Sequence, residues 1–169
     1  MHLVIPAAAL CALVTAAAIS DIRTRKVTNR LNLTILLLGL AWRASSLDGG
    51  TLVAGIAGVG VGLAILFPPF AVRWMGAGDV KLLAAAGMWL GPWGALLAGL
   101  FGIAGGGILS TAIAMSGGAE VRRDVMKNMG ASFATFTAPI APVRAKALVV
   151  PLAVPLAASI IAVFLARGF

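Results

Sequence analysis

The chain has 169 residues, of which 61% are hydrophobic and 11% charged, and its mean hydropathy is +1.06. A water-soluble domain of this length needs far more polar surface to cover its core, so the composition excludes one. The formal charge of +8 reflects basic residues gathered at membrane boundaries, and no nucleic-acid partner is needed to account for it.

Apolar runs recur at about 3–20, 30–47, 51–70, 79–91, 93–115 and 147–166. Most suit the roughly 30 Å hydrocarbon core of a bilayer. They predict an all-α, polytopic membrane protein of about six transmembrane helices, built as one membrane-embedded unit over residues 1–169. The first run has no Lys or Arg ahead of it, while Arg23, Arg25, Lys26 and Arg30 follow. That polarity predicts a retained helix with its N-terminus outside, not a cleaved signal peptide. The run holds Cys11, the only cysteine, so an internal disulfide and a C-x-x-C metal motif are both excluded. His2 is the only histidine, which disfavours a zinc site.

The second run ends near Arg43, which is expected to reach the interface by snorkelling. Asp48 follows in the short turn "DGG". The third run carries Gly58 and Gly62 at GxxxG spacing, repeated by Gly102 and Gly106 in the fifth; both pairs are read as helix-packing positions. Residues 79–115 must cross twice around the turn "GPWG", and 37 residues make only about 55 Å of helix. Asp79 therefore lies at the membrane edge. In the loop at 116–146, Glu120 and Asp124 accompany Arg122, Arg123 and Lys127, and Val121, Val125 and Met129 share a face suited to an interfacial helix. Pro151 and Pro155 are expected to bend the last run. With Arg73, Arg144 and Lys146, the basic residues place this loop in the cytoplasm and both termini outside. Trp42, Trp74, Trp89 and Trp93 fall near predicted span ends, as an aromatic belt requires.

Of the five carboxylates, Asp21 and Asp79 abut apolar runs at the same predicted level, one ending a descending helix and one starting an ascending helix. Each has a plain structural reading: Asp79 as a helix cap or dipole partner, Asp21 as the partner of Arg23 or Arg25. Together they also suit chemistry. Two carboxylates held within a few ångströms share one proton, so one can take a proton from water while the other polarises a carbonyl. That division of labour needs no metal and no cofactor. Gly76 and Gly78 would let an extended substrate backbone pass close to the acid.

At these residues the chain resembles the type IV prepilin peptidases, membrane aspartic proteases of the GxGD type. Gly76-Ala77-Gly78-Asp79 and Val80-Lys81-Leu82-Leu83 match the family's second aspartate motif. Asp21, the basic stretch Arg23–Lys26 and Asn29-Arg30-Leu31 match the first, with Thr28 where the family usually has proline. The two aspartates stand 58 residues apart. The resemblance implies Asp21 and Asp79 as the catalytic pair of an endopeptidase facing the cytoplasm in a bacterial inner membrane. It also implies a pilin precursor as substrate, with a short leader ahead of an apolar helix. With one cysteine and no paired-cysteine region, the chain looks like the short branch serving Tad or Flp-type pili, without methyltransferase activity. Lys81 either anchors its helix at lipid phosphate or lines the site; Asn29 either caps the second span or orients the loop. The basic loops are expected to attract anionic lipid, at roughly 1 kcal/mol per Lys or Arg. Alternatives are a preflagellin-type peptidase, a small proton-coupled transporter and a non-catalytic assembly subunit.

Overall fold

The computed structural model describes residues 4–24, 26–45, 49–71, 75–116 and 152–167. Expectations for Asp48, Arg25, Arg73, Trp74, Pro151, the start of the last run and nearly all of the 116–146 loop fall outside them. The described residues form helices α1 (Val4–Thr24), α2 (Asn29–Ser45), α3 (Gly49–Ala71), α4 (Ala77–Ser116) and α5 (Ala153–Ala166). Of these, Ile5–Thr24, Gly49–Ala71 and Ala77–Ala112 contain stretches long and apolar enough to cross a bilayer, and Ala153–Ala166 is apolar but shorter. An all-helical membrane protein follows. The structure gives three such long stretches where the sequence led us to expect about six spans.

The difference lies partly in α4, which runs through the "GPWG" segment and doubles back there. Gly91 has φ 68° and ψ −179°, a backbone conformation that side chains oppose and glycine adopts readily. The reversal is visible in packing. A Cβ on Gly99 would sit 2.9 Å from the Leu83 side chain and 2.7 Å from that of Ile65. In a straight helix, Leu83 and Gly99 would be about 24 Å apart. α4 therefore consists of two limbs, 77–90 and 92–116, lying side by side.

The first limb is the centre of the molecule, with residues 82–90 all buried. α3 runs antiparallel along it, with Gly55 beside Met88 and Gly62 beside Leu83. At Gly58 the backbones touch: a Cβ there would lie 2.1 Å from the Gly87 carbonyl oxygen. α5 packs antiparallel on the second limb, where Gly102 faces Leu156, Gly106 faces Leu152, and Ser159 Oγ donates to the Ala98 carbonyl at 2.8 Å. Both GxxxG pairs are thus packing positions. Lipid tails are as apolar as leucine, so close van der Waals contact between small residues holds such helices together. Leu33, Leu37, Val53, Ile56, Phe101 and Ile108 point outward, as a bilayer-facing surface requires.

Three details depart from the sequence reading. Trp89 is not a belt residue. It is 2% exposed, stacks on Trp42 with ring centroids 5.4 Å apart and donates from Nε1 to the Ile35 carbonyl at 2.8 Å. Trp93, by contrast, is exposed.

Arg43 does not snorkel. It is buried, and its guanidinium donates to the carbonyls of Met88, Trp89 (2.9 Å) and Thr51 (2.6 Å). Pro92 has no N–H to offer Met88, and the turn at Gly91 draws later donors away, so the first limb ends with orphan carbonyls. Arg43 answers two of them, and Arg167 donates to the third, Leu90, at 3.2 Å.

Pro155 lies in the first turn of α5, whose first helical bond runs from the Leu156 amide to the Leu152 carbonyl. Its missing N–H therefore breaks no helical bond.

Candidate active site

The end of the bundle opposite Arg43 carries both aspartates. Asp79 is the third residue of α4. The preceding Gly76 turns the chain into the helix, accepting from the Asp79 amide at 3.2 Å, and its own amide faces the Asp79 carboxylate. A carboxylate in a helix's first turn complements the unpaired amides there, so the plain capping role is fulfilled. Even so, Asp79 is only 8% exposed, an unusual degree of burial for an acid. Asp21 lies in the last turn of α1, half-buried, and accepts from the Ala153 amide at 3.2 Å through Oδ2. The two carboxylates are close enough for their charges to interact.

The segment between α1 and α2 is folded onto the glycine turn. Ser20 Oγ donates to the Lys26 carbonyl at 3.0 Å and Thr24 Oγ1 to the Ser20 carbonyl at 2.8 Å, and so they close the end of α1. Val27 then lies over Gly78, where a Cβ would come within 3.2 Å of the Val27 Cβ. One helical turn on, Asn32 Nδ2 donates to the Gly78 carbonyl at 3.3 Å. Lys81 Nζ donates to Asn29 Oδ1 at 3.0 Å. Three separate contacts therefore tie the first aspartate segment to the second.

Every candidate residue of the sequence reading lies at this end. Asp21, Asp79, Gly76, Gly78, Asn29 and Lys81 converge, although not all as expected. Lys81 is exposed but bound to Asn29, so it connects the two segments. Val27 occupies the side of Gly78 that was expected to stay clear for substrate, whereas Gly76 is exposed. Sequence reasoning missed Asn32, which is 5% exposed and whose Oδ1 has no hydrogen-bond partner among the described residues. The signal was present: a second asparagine three residues after Asn29, inside an apolar run, shares its helix face. Ala153 left no signal, because its contribution is a backbone amide.

A model of the type IV leader peptidase family matches residues 8–111. That is more than half of the chain, and the chain belongs to this family. The family consists of leader peptidases, so the protein is of a protease family, and the matched region holds every candidate residue except the Ala153 amide. No curated protein and no solved structure matches the chain.

Proposed function

We propose that the protein is an aspartic endopeptidase that removes the leader from pilin-like precursors at the cytoplasmic edge of a bacterial inner membrane. Asp21 and Asp79 act on one water. The observation that carries this reading is their convergence from distant parts of the chain at one bundle end, with charges in mutual reach.

In the reaction, the ionised member of the pair takes a proton from water as the water oxygen attacks the scissile carbonyl carbon. The protonated member donates to the carbonyl oxygen, stabilising the tetrahedral intermediate. Collapse then breaks the C–N bond, and the leaving amine takes up the proton removed from water. The exposed Gly76, beside a buried carboxylate, offers an open approach for an extended backbone. A precursor with its apolar helix in the bilayer and its leader in the cytoplasm would present the scissile bond at this depth. A Tad or Flp-type pilin is the substrate we favour, because residues 1–169 hold a single cysteine and so no paired-cysteine loop. About six crossings, with α4 counted as two, and anionic lipid at the basic loops belong to the same reading. A proton-coupled transporter would instead set its acids near mid-membrane, whereas Asp21 and Asp79 sit at helix ends.

The test is processing of a co-expressed pilin precursor by the wild type, Asp21→Ala and Asp79→Ala. Each substitution is expected to abolish cleavage with membrane insertion intact. Normal cleavage by either variant rules out the two-acid mechanism.

A further inference from the structure

α5 starts without a side-chain cap. Its N-cap residue is Leu152, which has no acceptor to offer the free amides of the first turn. The acceptor comes from another helix: the Ala153 amide donates to Asp21 Oδ2 at 3.2 Å. Ala153 is fully buried, and Asp21 is half-buried beside it. This bond joins residues 132 positions apart, and its donor lies beyond the region matched by the family model.

We propose that the Ala153 N–H is a positioning group for the Asp21 carboxylate, so that the start of α5 is a working part of the active site. The inference rests on the two-aspartate reading. One Asp21 oxygen is held by a donor that cannot rotate, because it belongs to a helical backbone packed against the second limb of α4. That restricts rotation of the carboxyl, so its oxygens keep a fixed direction, as a general base requires. An N–H donor also favours the ionised carboxylate, the form that accepts the proton from water. A purely structural reading runs the other way, with Asp21 serving only to satisfy an orphan amide of α5. On that reading, deleting the amide removes the need for Asp21 and harms nothing.

Ala153→Pro separates the two readings. At the first helical position the missing N–H of proline breaks no helical bond, although its ring disfavours the helical conformation that Leu152 holds before it. Ala153→Gly keeps the N–H and serves as the control. Losing a hydrogen bond to a charged group is expected to lower kcat for the pilin-like precursor about tenfold or more, with KM little changed. The acidic limb of the pH–rate profile, which reports ionisation of the base, moves to higher pH. Among the described residues, the other charged groups at this end are Asp79 and Lys81 of α4, Arg30 of α2, Arg23 of α1 and Lys26. α5 is followed by Arg167 at its far end. All of these are unchanged in both variants.

A second measurement needs no substrate. A hydrophobic carbodiimide reacts with protonated carboxyls, and mass spectrometry reads its addition to Asp21. Ala153→Pro should increase Asp21 labelling near neutral pH relative to the wild type and Ala153→Gly. If proline prevents insertion, replacing the Ala153 amide by an ester deletes the same N–H without a ring, and the same two readouts apply. Labelling and pH profile both matching the glycine control would overturn the proposal. If Asp21→Ala still cleaves while labelling responds as expected, the protease reading fails and the Ala153–Asp21 link stands.

Discussion

The two ends of the helical bundle both hold charges against apolar helices, and they treat them in opposite ways. At one end, Arg43 is buried with its guanidinium committed to three backbone carbonyls, and Arg167 takes a fourth. At the other, Asp21 accepts from the Ala153 amide and Asp79 from the Gly76 amide, and their charges act on one another. The arginine end resembles a repaired helix break: Gly91 and Pro92 release carbonyls, and cations replace the lost donors. The aspartate end also serves helix-start amides, but it does so with two like charges set within reach of each other, a cost that neutral caps would avoid. Charge spent on the backbone of a helix break holds structure, and two like charges held side by side can share a proton and do chemistry.

The sharpest way to break this comparison is to substitute one residue at each end. Asp79→Asn should reduce precursor cleavage by about 10²–10⁴-fold, the usual contribution of a general acid or base. Thermal unfolding in detergent should shift little, because asparagine can still accept from the turn amide. Arg43→Met should do the reverse in kind. It strips partners from buried carbonyls at about 1–3 kcal/mol each, so the unfolding midpoint should drop clearly. A stable, fully folded Arg43→Met protein would show that the break needs no cation.

An intermediate effect is expected at Asn32. Asn32→Ala removes the bond to the Gly78 carbonyl and also the unpartnered Oδ1, so the losses in stability nearly offset and should stay near 1 kcal/mol. Cleavage should fall about tenfold, because a small displacement of a reacting group is costly in rate. Unchanged cleavage would reduce Asn32 to a packing residue.

These residues also mark how far the sequence could be read. Asp21 and Asp79 were visible because acids are rare in such a chain and both abut apolar runs. The fold-back at Gly91 was visible in "GPWG", which holds the only proline of residues 79–115. Arg43 was misread because charge near a span end has two outcomes, water or backbone carbonyls, and only the position of a helix break elsewhere decides between them. Trp89 was misread for a similar reason: belt and core tryptophans differ in which helix lies opposite, not in their local sequence. Asn32 was missed because the apolar residues around it hide a polar contact made 46 residues away.

The smallest expected effect belongs to Lys81, and it still sharpens the comparison. Its ammonium is exposed and bonded to Asn29 Oδ1 at 3.0 Å, so the bond competes with water and should contribute no more than about 0.5 kcal/mol. Lys81→Met keeps the length of the side chain and deletes only the charge and the bond. If Lys81 mainly joins the two aspartate segments, cleavage should fall about twofold to threefold, and Asn29→Ala should fall equally, with no added loss in the double variant. If it mainly anchors α4 at lipid phosphate, Lys81→Met alone should alter cleavage, and the effect should depend on the fraction of anionic lipid in reconstituted vesicles. Non-additivity with Asn29 that persists in purely zwitterionic vesicles would assign Lys81 to the protein, because no lipid charge remains there for it to bind.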